Sequence, residues 1–367
     1  MKRRIAVVTG TRAEFGLLES TIAALRKRRG VRTELIVCGM HLLPKFGNTI
    51  RDIRSAGHAI AATVRMQRGD DSPLDQARGL ARGVAGIAAA LHRMQCDRVI
   101  VLGDRIEALA GALAATTIGV SVAHIHGGDA APGDFDGKMR NAITQMANLH
   151  LPATAAAARE LRRLGAARER MFIVGAPGID RLRELIDARR GSAPFAGERF
   201  AIVAQHAYGR SAAFEQRVMG WILDELRRAG LRSVVIAPNS DRGHQGVLAA
   251  IDRHLRERGD SGVEFHRSLP RDEFLRRLLD ASLMIGNSSS GLIEAPFAGT
   301  PSVDIGDRQA GRPPGGRSVM RAAETPSAIR AAIRSGLALK RRLRAGAKTI
   351  YGDGRAGERI AKLVVEA

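Results

Sequence analysis

The sequence predicts an α/β fold of two doubly wound domains in tandem. Short apolar runs alternate with amphipathic, helix-like stretches along the chain, and this alternation occurs as two successive series. Strand, loop and helix in alternation are typical of parallel sheets covered by helices. A length of 367 residues is also suited to about two domains.

The first series begins with a strand at residues 5–9, followed by a glycine-rich turn into a helix at residues 10–16. An alanine-rich stretch predicts a helix over residues 79–94. Further apolar runs predict strands at residues 33–38, 98–102, 120–125, 149–152 and 171–174.

The second series repeats this rhythm, and turn residues and charges mark a break between the series within residues 177–197. Its apolar runs predict strands at residues 199–204, 233–237, 263–265, 283–285 and 302–305. We therefore expect one domain over residues 1–178 and a second over residues 179–350. A C-terminal helix in residues 351–367 is expected to pack back on the first domain.

The amino-acid composition limits the kinds of partner that the protein is expected to bind. The net charge is +21, but the arginines are spread through helix-like segments and aromatic residues make up only 4% of the chain. Because base-stacking surfaces need aromatic side chains, nucleic acid is not an expected partner. The two cysteines suggest neither a zinc site nor a disulfide framework. No apolar run approaches the roughly 18 residues of a membrane span, so we expect a cytoplasmic protein without a membrane partner.

The most informative motif covers residues 286–291, where a predicted strand leads directly into a predicted helix. It gathers the hydroxyls of Ser288, Ser289 and Ser290 at a helix N-terminus, where free N–H groups and the helix dipole favour an anion. Glu294 follows one turn later and is suited to accept hydrogen bonds from ribose hydroxyls. The motif predicts a nucleotide site, and an ordinary serine N-cap with a surface glutamate is the alternative.

Ligands of doubly wound sheets bind at the carboxyl ends of the strands. Polar residues follow the predicted strands at those ends, namely Arg12, Asp104, His126, His206, Asn239 and Ser288. The residues after the first strand match neither the dinucleotide-binding glycine pattern nor a P-loop, which disfavours both readings.

Several of these residues have competing interpretations. Arg12 suits a bidentate clamp on a diphosphate, or it is an ordinary capping residue. Asp104 suits acid–base chemistry or a helix N-cap, and the adjacent Arg105 suits phosphate binding. His206 is either a structural histidine or a functional one placed at the expected site.

The densest ionisable cluster lies at residues 124–141 and contains His124, His126, Asp129, Asp136 and Arg140. Histidine together with carboxylates suits proton transfer near neutral pH. A metal site is an alternative without the strict ligand spacing that would support it. A loop that satisfies its own hydrogen bonds is another.

Taken in order, the motifs resemble the hydrolysing UDP-N-acetylglucosamine 2-epimerase family, and most of all its sialic-acid-pathway branch. The resemblance covers residues 3 to about 315. It is carried by residues 9–16, 39–47, 103–109, 124–128, 140–144, 175–180, 286–296 and 305–312.

This resemblance implies a glycosyltransferase-B-like fold, in which two Rossmann-like domains place the active site in the cleft between them. The first domain would serve the sugar and the second the nucleotide. The implied reaction uses no metal or cofactor: UDP leaves by anti elimination across C1–C2, and water adds to the resulting glycal to release the free 2-epimer. A homodimer is also implied.

The resemblance also implies roles for individual residues. Asp104 and Asp136 correspond to catalytic carboxylates, and His206 would stabilise the departing phosphate. The nucleotide diphosphate would be held by Arg12, Arg105, His206, Asn239, Ser288, Ser289 with the neighbouring Ser290, Glu294 and Arg308.

One departure from the family pattern concerns the chemistry. His126 stands where the family usually has a catalytic glutamate, and Asn141 stands where it usually has a histidine. Two explanations are a different, modified sugar, such as a diacetamido-trideoxy sugar, or altered proton chemistry with His126 as the base, ending in epimerisation or plain hydrolysis. A glycosyltransferase and an inactive nucleotide-sugar-binding protein are the remaining alternatives.

Overall fold

The computed structural model describes residues 3–69, 72–129, 135–189, 199–239, 241–257 and 262–367, apart from the side chains of Phe135 and Asp136. The chain divides into two compact units. One unit contains Met1–Asp180 together with Gly354–Ala367, and the other contains Arg181–Asp353.

The first unit is built on a six-stranded parallel sheet with the order β3-β2-β1-β4-β5-β6. Its strands are β1 (Arg3–Thr9), β2 (Val31–Cys38), β3 (Ala62–Val64), β4 (Arg98–Leu102), β5 (Ser121–Ile125) and β6 (Leu149–Leu151). Its helices are α1 (Arg12–Arg26), α2 (Ile50–Ser55), α3 (Pro73–Met94), α4 (Ile106–Thr117), α5 (Phe135–Met146) and α6 (Ala155–Arg163).

The second unit repeats this plan with the order β12-β11-β10-β7-β8-β9, again with every pair parallel. Its strands are β7 (Phe200–Ala204), β8 (Arg232–Ile236), β9 (Val263–His266), β10 (Leu283–Gly286), β11 (Ser302–Ile305) and β12 (Val319–Ala322). Its helices are α7 (Asp180–Ala188), α8 (Ala212–Arg228), α9 (His244–Glu257), α10 (Arg271–Asp280), α11 (Ser289–Phe297) and α12 (Pro326–Lys340). The chain then returns to the first unit with α13 (Ala356–Glu366).

Alternation along the strands explains the layered packing. In β1, Ala6 and Val8 face the core shared with α3, α4 and α5, whereas Ile5 and Val7 face the core shared with α1 and α13. Strands buried on both faces read as continuous apolar runs, which is why the sequence reveals them so clearly.

Two predicted elements differ from the structure. Residues 171–174 form only an isolated bridge from Met171 to His150. The Phe172 and Val174 N–H groups donate to the carbonyl oxygens of His150 and Pro152, but Pro152 has no N–H to return a bond and continue the ladder. The alanine-rich helix begins at Pro73 rather than at residue 79, since Ser72 caps it and proline suits the first helical position. The short strands β3 and β12 were not predicted.

Within the described parts of the chain, no helix is long and apolar enough to cross a membrane. Cys38 and Cys96 are both free and buried. Burial raises the pKa of the Cys96 thiol to about 11, and the pKa of Cys38 is raised as well, so neither thiol is reactive.

The strand-to-helix junction after β10 depends on Gly286. Its backbone has a φ of +132°, and a Cβ there would lie 2.2 Å from the carbonyl oxygen of Ala204. We expect Gly286→Ala to lower the free energy of unfolding by about 2–4 kcal/mol in denaturant titrations. Gly316→Ala is the matched control, because its Cβ would meet nothing within 4 Å. Equal effects of the two substitutions would contradict this account.

Candidate active site

Each sheet has one point where the strand order reverses, and the candidate residues gather there. The reversal lies between β1 and β4 in the first unit and between β7 and β10 in the second. In open parallel sheets, ligands bind outside the carboxyl ends of the strands at this point. The loops after these four strands carry Arg12, Asp104, His206 and the three serines.

The turn that carries Asp104 is held by a hydrogen bond from the His124 side chain. Gly103 adopts a φ of +77°, and its carbonyl oxygen accepts a hydrogen bond from His124 Nε2 at 2.8 Å. Burial lowers the pKa of His124 to about 4, so its ring is neutral and structural. The N-cap of α4 is Arg105, and the alternative reading of Asp104 as a helix N-cap is wrong.

Arg140 joins the ionisable residues of the first unit into one network. Its Nη2 donates to the carboxylate of Asp104, and its Nη1 donates to the carbonyl oxygen of Asp129. The Asp129 carboxylate in turn lies 2.8 Å from Nδ1 of His126. Because Arg140 is only 2% exposed, its charge depends on these partners for compensation.

His126 has an unusual backbone conformation. Its φ is +62°, which is rare for residues other than glycine and asparagine and is found at functional sites more often than elsewhere. A carboxylate oxygen next to Nδ1 favours the tautomer with its N–H at Nδ1, in which Nε2 has the lone pair. A carboxylate-supported imidazole of this kind is able to act as a general base.

Arg12 and Arg105 lie at the ends of β1 and β4. Arg12 is the first residue of α1, where the helix dipole disfavours a cation, and its side chain is 40% exposed with Asp52 at 3.9 Å. Arg105 is 41% exposed, and its Nε lies 3.3 Å from Oε2 of the fully buried Glu107. Both guanidinium groups are therefore accessible to an anion.

The side chain of Asp136 lies outside the described part of the structure, although its backbone belongs to α5. Among the described residues, no group of three or more histidine, cysteine, aspartate or glutamate side chains is arranged to hold a metal ion.

In the second unit, the serine motif forms the start of α11. Ser288 is the N-cap, and its hydroxyl accepts a hydrogen bond from the Ser290 N–H at 3.4 Å. The N-cap reading of Ser288 therefore holds. It is compatible with anion binding, because Ser289 and Ser290 are partly exposed at a helix N-terminus.

Glu294 lies one turn into α11 and is 3% exposed. Its Oε1 accepts a hydrogen bond from Arg271 at the start of α10. Its Oε2 has no hydrogen-bond partner among the described residues. A buried carboxylate oxygen without a donor carries an energetic cost that a ligand hydroxyl would relieve. The alternative of a surface glutamate is wrong.

His206 follows β7, and its ring is fixed by Asn239. The backbone N–H of Asn239 donates to His206 Nδ1 at 3.1 Å, so that nitrogen carries no proton. Burial, reinforced by the positive charge of Arg308, lowers the pKa of His206 to about 3. The ring is therefore neutral, with its single proton on Nε2, where it can serve as a hydrogen-bond donor. The Asn239 side chain itself is exposed.

Asn287 and Arg308 complete this group. The Asn287 amide pairs with both backbone polar groups of His206, each at 2.8 Å. The backbone carbonyl of Asn287 accepts hydrogen bonds from Arg308 Nη1 and Gln309 Nε2, each at 3.0 Å. The loops after β7, β10 and β11 are thus linked through one residue.

Sequence reasoning did not single out Asn287, Arg271, Gln309 or Glu107. Asn287 lies inside the recognised motif, so its position was visible but its partners were not. Arg271 gives no local signal, because it begins a helix 23 residues before Glu294 and resembles any exposed arginine.

Comparison with known proteins places the chain in a family. The sequence profile described as UDP-N-acetylglucosamine 2-epimerase matches residues 23–365. A UDP-N,N'-diacetylbacillosamine 2-epimerase (hydrolyzing) from Legionella pneumophila is 29% identical, covering 99% of this chain and 96% of the relative. A UDP-N-acetylglucosamine 2-epimerase from Neisseria meningitidis is 30% identical, covering 84% and 81% respectively.

Solved structures agree on the fold. The UDP-N-acetylglucosamine 2-epimerase of Methanocaldococcus jannaschii, in complex with UDP-N-acetylglucosamine and UDP, superposes with a TM-score of 0.80 at 18% identity. The match covers 99% of this chain and 100% of the Methanocaldococcus chain. The two parallel six-stranded sheets with flanking helices therefore form a glycosyltransferase-B-like two-domain fold. The chain belongs to the UDP-N-acetylglucosamine 2-epimerase family and is an enzyme of that family.

Proposed function

We propose that this enzyme is a hydrolysing 2-epimerase that converts a UDP-linked 2-acetamido sugar to UDP and the free 2-epimer. The observation that carries this proposal is the network in which Arg140 joins Asp104 to Asp129, and Asp129 supports His126. Such a network suits the removal and return of a proton at a carbon next to the leaving group.

In the first step, His126 Nε2 takes the proton from C2 of the sugar. The C2–H electron pair forms the C1=C2 bond, and the C1–O bond breaks with its electrons passing to the β-phosphate of UDP. In the second step, water adds its oxygen to C1 of the glycal, and a proton reaches C2 from the opposite face. One water is consumed overall, and C2 is inverted.

The second unit provides the groups that suit the nucleotide. The N-terminus of α11 and Arg308 suit the diphosphate, and the unpaired Oε2 of Glu294 suits a ribose hydroxyl. The Nε2–H of His206 suits the phosphate oxygen that gains charge as C1–O breaks. Arg12 and Arg105 are proposed as additional phosphate ligands from the first unit.

The first candidate substrate is UDP-N-acetylglucosamine, which the name of the Neisseria relative specifies. The second is a UDP-linked diacetamido-trideoxy sugar, because the relative from Legionella is named for diacetylbacillosamine. By resemblance His126 stands where the family usually has a glutamate, and we infer that this position would face the sugar.

A panel of nucleotide sugars incubated in deuterated water and followed by NMR tests the proposal. We expect UDP and a free sugar carrying deuterium at C2, without an acceptor and without loss of rate after chelator treatment. UDP release without deuterium at C2 would reduce the enzyme to a hydrolase. Turnover that requires an acceptor would indicate a glycosyltransferase, and no turnover with any sugar would favour a binding protein.

Four further properties belong to the same proposal. The enzyme uses no resident metal or cofactor, since the reaction as written balances with side chains and water. It acts as a homodimer, which light scattering of the purified protein tests. It works in the cytoplasm, in keeping with its free, buried thiols. It acts on a sialic-acid-type route.

A further inference from the structure

We propose that Asn287 is a positioning residue that holds His206 and Arg308 in a single arrangement, so that both groups act together on the departing diphosphate. This inference rests on the proposed function, because it concerns the leaving-group half of that reaction. Asn287 itself touches no reacting atom. Its effect passes through the two residues that it holds.

The side-chain amide of Asn287 is fully paired with the backbone of His206. Asn287 Oδ1 accepts the His206 N–H and Asn287 Nδ2 donates to the His206 carbonyl oxygen, each at 2.8 Å. Two parallel bonds fix both the position and the rotation of a peptide segment, as a single bond cannot. Asn287 is 3% exposed, so water does not readily replace either partner.

The His206 ring needs this restraint to hold its position. Nδ1 accepts a hydrogen bond from the backbone N–H of Asn239 at 3.1 Å, which sets the tautomer but does not fix the backbone of His206. The amide of Asn287 defines that backbone from the loop after the neighbouring parallel strand β10, 81 residues later in the sequence. Together the two contacts determine where the Nε2 proton lies.

Asn287 also contacts Arg308. The Asn287 carbonyl oxygen accepts from Arg308 Nη1, so the residue that aligns the donor His206 also aligns a cation. A shift of Asn287 would move both groups at once. Misplacement by about 1 Å at a catalytic group is enough to cost on the order of 100-fold in rate.

A double-mutant cycle tests this inference. Asn287→Ala removes the amide that holds His206 but keeps the backbone carbonyl that holds Arg308. We therefore expect it to lower kcat/KM by about 10–100-fold in the wild type, but by less than about threefold when His206 is already alanine. Asn287→Asp keeps the size and the acceptor but loses the donor, and we expect an intermediate loss from it. A full additional loss in the His206→Ala background would overturn the proposal, as would full activity of a folded Asn287→Ala variant.

Asn148→Ala is the matched control. Its Oδ1 also accepts a backbone N–H, that of Val122 at 2.8 Å, but in β5 of the first unit. A purely structural effect of this kind should lower turnover equally with and without His206. If the Asn148 and Asn287 cycles behave alike, positioning is excluded.

A second measurement does not depend on turnover. NMR of ¹⁵N-histidine-labelled protein, with His206→Ala for assignment, is expected to show a ring that stays neutral to about pH 4 in the wild type. In Asn287→Ala we expect the ring to titrate closer to the ordinary histidine range, and in Asn287→Asp to lie between. Unchanged titration in both variants would overturn the positioning role. If the wild type releases no UDP, the proposed function fails, but this measurement still decides whether Asn287 holds His206.

Discussion

Replacing His126 with asparagine is expected to lower kcat by about 10²–10⁴-fold, the usual contribution of a general base. His126 is supported by the Asp129 carboxylate at 2.8 Å and is 8% exposed, so no solvent group readily takes its place. Asparagine is the informative substitution, because it tolerates the φ of +62° at this position. Turnover by steady-state kinetics, with folding checked by thermal melting, measures the effect.

Two companion variants sharpen this result. Asp129→Asn keeps the imidazole but removes the charge beside it, and we expect a loss of about tenfold. His92→Asn removes an exposed histidine in the last turn of α3 and should leave kcat unchanged. If His126→Asn retains more than a tenth of the wild-type kcat, another group is the base.

His126→Glu distinguishes an altered base from lost catalysis. If the wild type is inert and His126→Glu turns over UDP-N-acetylglucosamine, the protein is a nucleotide-sugar-binding protein rather than an active enzyme. If the wild type is active and the variant changes which sugar of the panel is used, His126 contributes to substrate choice.

Replacing Glu14 with glutamine is expected to stabilise the protein at pH 8 and to remove much of its pH dependence. Glu14 is 4% exposed under the loop after β1, where it accepts the Gly10 N–H at 2.7 Å. Burial, aided by the nearby charge of Glu107, raises the pKa of Glu14 from 4.5 to about 8.

The direction of this pH dependence follows from the number of protons that the folded and unfolded states bind. Between pH 4.5 and about 8 the folded carboxyl keeps a proton that the unfolded carboxyl has lost, so stability falls as the pH rises through this interval. At about 1.4 kcal/mol per pH unit, the loss amounts to roughly 5 kcal/mol at pH 8. Glutamine is already neutral and avoids this loss.

Urea titrations at pH 5 and pH 8 measure the difference. Glu14→Gln should match the wild type closely at pH 5 and exceed it by several kcal/mol at pH 8. Glu358→Gln changes an exposed position in the first turn of α13. Its free energy of unfolding should differ from that of the wild type by the same amount at pH 5 and at pH 8. A variant with wild-type pH dependence would mean that Glu14 is ionised in the folded protein.

The sequence was most informative about the fold where strands are buried on both faces. Residues 98–102 read as a strand with the bounds found for β4, because no polar residue interrupts the run. The three-residue strand β3 and the half-exposed β12 carry no comparable pattern. They depend on pairing at the sheet edges, which is decided by the neighbouring strands rather than by their own residues.

For the site, residue types after the strands were visible but their partners were not. Asp104, His126, Asp129 and Arg140 could be listed as one cluster, yet the contact between Asp104 and Arg140 spans 36 residues. The pairing of Glu294 with Arg271 likewise joins two helices that share no motif. Local patterns predict which chemistry is present, whereas tertiary packing decides which groups meet.

The return of the chain to the first unit has a consequence for synthesis. Ile360, Ala361 and Val364 of α13 cover the apolar face of α1, and Asp180 accepts hydrogen bonds from the Ala356 and Gly357 N–H groups. All of Arg181–Asp353 must be translated before these residues exist, a delay of about 10–35 s at ribosomal speeds of roughly 5–20 residues per second. During synthesis, therefore, the first unit cannot complete its core until the second unit has been translated, and for that time the apolar face of α1 stays uncovered and open to holdase chaperones.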